Sequence, residues 1–119
     1  MSKIHETLAE LRRLAGVKGA AVIMADGLVA AESLDARYRS EVVSGLTSYL
    51  LMTTNRSLRE GGLGECAQFV LHATHGRVMF LALGEAFLVV LFDQFADLPA
   101  VQDDVLEAAQ RVRRLARIG

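Results

Sequence analysis

The sequence predicts an α+β sandwich: a five-stranded antiparallel sheet with helices packed on it, in the order α-β-β-α-β-β-β-α. Three observations lead there. Three stretches repeat their apolar residues at helical spacing, and five short apolar runs have strand length. Tight turn signals, Asp26-Gly27, His75-Gly76 and Gly84-Glu85, join consecutive runs, which makes the strands antiparallel neighbours. With no long linker, internal repeat or low-complexity segment, residues 1–119 read as a single domain.

From Ser2 to Ala15, Ile4, Leu8, Leu11 and Ala15 alternate with charged residues, an amphipathic helix with Ser2 as N-cap and Gly16 as its stop. Gly19 to Ala25 reads as a buried strand, Asp26-Gly27 as a hairpin turn, and Leu28 to Ala31 as the returning strand. Asp35 is the expected N-cap of a long helix, Ala36 to Glu60, which ends on Arg56, Arg59 and the breaker pair Gly61-Gly62. Glu65 to Ala73 alternates like a half-exposed strand, followed by strands Arg77 to Leu83 and Ala86 to Phe92. A closing helix starts near Asp97-Leu98-Pro99 and carries the stripe Val101, Val105, Ala108, Val112 and Leu115.

Composition narrows the function classes. A net charge of -1 gives no electrostatic case for nucleic acid or an anionic membrane. The longest apolar run, Ala86 to Phe92, is far short of the roughly 20 residues that span a bilayer. No signal peptide is visible, and Cys66 is the only cysteine, so a cytoplasmic location is expected and an internal disulfide is not. Yet 52% of the residues are hydrophobic and the mean hydropathy is +0.31. So apolar a soluble chain is expected to hide its surplus in an oligomer interface.

The stretch Ser40 to Asn55 locates that surplus. It has no charge between Glu41 and Arg56, and it carries two apolar stripes. One is Val42, Leu46, Tyr49 and Thr53; the other includes Val43, Leu50, Leu51 and Thr54. A surface helix needs only one such stripe. The small residues Ser44, Gly45, Thr47 and Ser48 would let another backbone approach, with Gly45 costing roughly 1 kcal/mol of helix stability relative to Ala.

No residue set predicts catalysis, a metal or a cofactor. Asp26 belongs to its turn, and Asp93 ends a strand where a loop-capping carboxylate is ordinary. His72 and His75 could partner Cys66 as nucleophile and base, but no orienting acid stands at a recognisable spacing. Two histidines three apart on a strand also face opposite sides, which disfavours zinc. Gly61, Gly62 and Gly64 follow a helix rather than precede one, so they terminate it and do not cradle phosphate. Arg111, Arg113, Arg114 and Arg117 sit in the last turns of the closing helix, where cations suit its dipole. The chain therefore reads as a binding or assembly module.

Two segments carry a resemblance. Leu11-Arg12-Arg13-Leu14-Ala15-Gly16-Val17-Lys18-Gly19-Ala20-Ala21-Val22, followed by Ala25-Asp26-Gly27-Leu28-Val29, resembles the opening of the roadblock family. Gly76-Arg77-Val78-Met79-Phe80-Leu81 with Phe87-Leu88-Val89-Val90-Leu91 resembles its closing hairpin. The family includes roadblock-type dynein light chains and bacterial MglB proteins. The resemblance implies a profilin-like fold and a homodimer in which the third strand pairs with its twofold mate and the long helices lie side by side. It further implies a non-catalytic regulator whose helix surface binds a Ras-like small GTPase and modulates GTP hydrolysis. MglB-type proteins also carry segments beyond the core domain, which this chain is expected to lack.

Carried onto this sequence, the dimer interface would draw on Ser44, Ser48, Cys66, Gln68, Phe69, Val70 and His72. The GTPase would meet Val43, Thr47, Leu50, Leu51 and Thr54, expected to turn away from the domain's own sheet. The competing readings are a scaffold or sensor subunit of a signalling or motor complex, and a small enzyme using Cys66 with His72 or His75.

Overall fold

A computed structural model describes residues 2–118, with side chains through Ala116. Its elements are α1 (Lys3–Leu11), β1 (Val17–Met24), β2 (Val29–Leu34), α2 (Ser40–Glu60), β3 (Gln68–Ala73), β4 (Gly76–Ala82), β5 (Ala86–Phe92) and α3 (Leu98–Ile118). The expected order holds. All pairings are antiparallel, and the sheet runs β2-β1-β5-β4-β3.

Alternation along the strands divides the core into two layers. Ala20, Val22, Met79, Leu81, Leu88, Val90 and Phe92 face α1 and α3, where Leu8, Leu11, Val101, Val105, Ala108 and Val112 are buried against them. Ala21, Ile23, Phe80, Val89 and Leu91 face α2, which buries Val43 and Leu51 there. β1 from Gly19 onward and β5 throughout read as unbroken apolar runs because both of their faces are covered.

β2 and β3 lie at opposite edges, so the chain between them must cross the sheet. Four strand spacings of about 4.8 Å make the edges roughly 19 Å apart, and a helix of 21 residues, roughly 31 Å long, spans that diagonally.

Several boundaries differ from expectation for local reasons. Ser2 does cap α1, its Oγ accepting the His5 N–H at 3.1 Å. Helix α1 stops at Leu11, however; turn bonds from Arg13, Leu14 and Val17 then tighten the chain until Gly16, at φ +85°, redirects it. Asp35 does not cap α2. It accepts the N–H of Arg37 on Oδ1 and that of Tyr38 on its carbonyl, closing a single turn. Arg39 is then extended and α2 begins at Ser40, without a side-chain cap. Strand β2 runs on to Leu34 because Glu32, Ser33 and Leu34 pair with Ala21, Ala20 and Gly19 on an edge where polar residues are tolerated. Strand β3 begins at Gln68 rather than Glu65, since the Cys66 N–H is bound to Asn55 Oδ1 at 2.6 Å.

Leu88 is fully buried, so Leu88→Ala is expected to cost about 2–5 kcal/mol in urea denaturation. Gly16→Ala should cost more than about 1 kcal/mol, because a Cβ at its positive φ would lie 2.7 Å from the Ala96 Cβ.

Candidate functional site

Helix α2 presents two apolar faces, and the sheet takes the one not expected. Thr47 is 1% exposed, and Val43 and Leu51 are buried with it. Leu50 packs partly against the same cluster, and Thr54 is half-buried. These five residues, expected to turn outward, are turned inward or toward the helix flank. Thr47 can be buried because its hydroxyl donates to the Val43 carbonyl at 2.7 Å, one helical turn back. The outward face is the other stripe. Val42 is 57% exposed, Tyr49 69% and Met52 62%, and Leu46 and Thr53 on the same side are exposed as well. Both stripes have the same period and similar composition, so spacing alone could not say which one the sheet would claim.

The small residues serve a backbone within the chain itself. Ser44 Oγ donates to the Gly27 carbonyl, and a Cβ on Gly27 would lie 3.1 Å from Ser48 Oγ. The β1–β2 turn thus rests on the helix, and Ser44 and Ser48, expected at the dimer interface, lie beneath it. Gly27 is at φ +94°, and the Asp26 carboxylate accepts the Leu28 N–H at 3.1 Å, so the turn forms as its Asp-Gly pair predicts. Gly45 is different: a Cβ there would meet nothing within 4 Å. Nothing within the domain requires its missing side chain. It lies on the outward side, between Val42 and Tyr49.

Strand β3 supplies a second open surface. Ala67 accepts the Ala82 N–H, and antiparallel alternation then points the N–H and C=O groups of Gln68, Val70 and His72 away from β4. On that side β3 has no partner strand among the described residues, and the strand's only ionisable side chain is His72. The opposite edge strand, β2, carries Glu32 and pairs irregularly between Val22 and Ile23, features that blunt an edge. Phe69 and Leu71 lie on the α2 side of β3, and Val70 on the α3 side. Asn55, in the C-terminal half of α2, is tied to the start of β3 through Cys66, which joins the two surfaces.

Asp26, Asp35 and Asp93 each hold a nearby backbone N–H. Burial pushes the Cys66 thiol up, against a smaller opposing effect of the Gln68 N–H, so the reactive thiolate is disfavoured. The Asp93 carboxylate accepts the Phe95 N–H at 2.9 Å, and His72 and His75 are exposed. Among the described residues, no three His, Cys, Asp or Glu side chains are grouped as a metal site. The N–H of Arg37 bound to Asp35 holds that carboxyl below its ordinary range. Two exposed contributors, Met52 and Leu28, were not singled out in sequence. Leu28 follows a turn residue packed on α2, and the only available signal was its place beside Asp26-Gly27.

Comparison with known proteins gives a match to the Roadblock/LC7 domain over residues 3–92. An uncharacterized protein of Methanocaldococcus jannaschii is 32% identical over 114 residues, covering 96% of this chain and 97% of that protein. Among solved structures, Myxococcus xanthus MglB superposes with a TM-score of 0.91 at 16% identity, covering 100% of this chain and 98% of the other. An MglB solved in a tetrameric arrangement gives 0.85 at 22% identity, covering 98% and 93%.

The Ser44 hydroxyl bonds within the chain, so Ser44→Ala is expected to cost about 1 kcal/mol. That lowers Tm by about 4 °C in a calorimetric scan and leaves self-association unchanged in sedimentation.

Proposed function

Because the chain belongs to the Roadblock/LC7 domain family, we propose that it forms a homodimer whose α2 surface binds a Ras-like small GTPase and regulates its GTP hydrolysis. The observation that carries this reading is the uncharged outward stripe of Val42, Leu46, Tyr49 and Met52, with the open position Gly45 among them. Apolar side chains so exposed along one helix face mark a protein interface, and a mid-helix glycine with free space around it admits a second backbone closely. The structural likeness to MglB supports the same reading. No activated nucleophile or metal cluster among the described residues suggests chemistry of its own, so regulation would act by reshaping the bound GTPase.

The dimer would form through the open edge of β3. Its register follows from strand geometry. A twofold axis perpendicular to the sheet must keep each side chain facing a residue on the same face, so the axis lies midway between one residue and its own copy, not between two successive cross-strand pairs. Centred on Val70, the pairing satisfies every outward N–H and C=O of Gln68, Val70 and His72, with Gln68 opposite the partner's His72. Centred on Leu71, it would leave Gln68 facing Thr74, beyond the end of the strand. The Val70 centre is therefore favoured.

Two measurements test these readings. With the purified GTPase, sought first in genes adjoining this one, pull-down in both nucleotide states and a hydrolysis assay should show binding and altered turnover. Leu46→Asp and Tyr49→Glu should weaken binding at least tenfold while leaving thermal unfolding nearly unchanged; absence of binding in either nucleotide state overturns the proposal. For the register, Val70→Cys in a Cys66→Ser background should form an intermolecular disulfide, because hydrogen-bonded antiparallel pairs sit about 5.5 Å apart at Cα. His72→Cys should not, since the two sites would be roughly 13 Å apart.

A further inference from the structure

The layer formed by α1 and α3 leaves one end of the sheet uncovered. A cavity of about 390 Å³ opens where α1 begins and α3 ends. Val22, Met24 and Ala86 line it from the sheet, Leu83 from the β4–β5 turn, and Ile4 flanks it from α1. It persists because three positions on its wall, Ala86 and the further Ala30 and Ala116, hold alanine where a larger side chain would fill the space. Its volume falls within the range of small-molecule sites, about 300–1,000 Å³.

Among the described residues, the rim supplies one cation. Arg111 is occupied, bound to Glu10 at 2.7 Å and to Glu107 at 3.5 Å. Arg113, two residues on, borders the cavity and forms no ion pair among the described residues. An apolar cavity beside an unpaired guanidinium matches an anion with an aliphatic tail. The guanidinium holds the head through charge-assisted hydrogen bonds, and the wall takes the tail out of water. We propose that this cavity binds a free medium-chain fatty acid, with its carboxylate on Arg113 and its chain against Val22, Met24, Leu83 and Ile4. Glu85, on the β4–β5 turn at the same rim, opposes the head-group and sets an upper limit on affinity. The site lies on the face of the sheet opposite α2, so it stands independently of the proposed GTPase surface.

Titration calorimetry with hexanoate, octanoate and decanoate below their micellar concentrations, with backbone amide resonances followed in parallel, tests the assignment. Affinity should rise about fourfold per methylene until the cavity is full, with shifts at Val22, Leu83 and Ala86. Arg113→Gln should weaken decanoate at least tenfold and leave decanol unaffected, Glu85→Gln should tighten decanoate, and Ala116→Phe should block it. Absence of binding overturns the proposal. So does equal affinity for decanol or decyltrimethylammonium, which would remove the role of Arg113. Shifts confined to Val42–Met52 also overturn it, since they would mark adsorption on the exposed helix.

Discussion

β2 and β3 close opposite edges of one sheet, and the chain between them has to cross it; α2 is that crossing. Much of the molecule depends on this constraint. A helix lying over a sheet must bury the side chains that meet it, and Val43, Thr47 and Leu51 do so against Ile23, Phe80 and Val89. The same crossing leaves the helix alone in its layer, with neither α1 nor α3 beside it. Its outward side therefore meets nothing within the domain. The exposed stripe follows from the topology, provided that the residues there are apolar, and here they are.

Two uses of small residues coexist on this helix. Ser44 and Ser48 let the β1–β2 turn descend onto it, and the Ser44 hydroxyl satisfies the Gly27 carbonyl that the turn would otherwise leave open. This contact holds the hairpin end against the helix and so fixes where Leu28 emerges. Gly45 has no such neighbour. Its helix-weakening effect is uncompensated within the domain, whereas Ser44 is accounted for by an internal bond and Ser48 by its contact with the Gly27 turn, although the Ser48 hydroxyl itself is buried without a hydrogen-bond partner. The two cases are indistinguishable as letters and separate only when the surroundings of each are known.

The opposite layer is built on different terms. α1 and α3 pack on each other as well as on the sheet, and Arg111 links them through Glu10. α1 is short and begins only at Lys3, and beside its first turn the sheet end at Met24 and Ala86 is left with the apolar cavity. One face of the sheet thus carries an exposed convex helix and the other a recess. Surfaces of such different shape suit different partners.

Much of this was legible in the sequence, because it depends on local periodicity and turn chemistry. The eight elements, their order, the Asp26-Gly27 turn, the Ser2 cap and the buried stripe of α3 all express interactions within a few residues of one another. So did the presence of two apolar stripes on α2. Which stripe the sheet claims was decided only in three dimensions. Val42-Leu46-Tyr49 and Val43-Leu50-Leu51 have the same period, and the direction in which α2 leaves the Asp35 turn selects between them. The same applies to Asp35, which looked like a helix cap and instead closes a separate turn, since both uses call for one carboxylate accepting a nearby N–H. Periodicity determines that a face exists; the path of the chain determines what it meets.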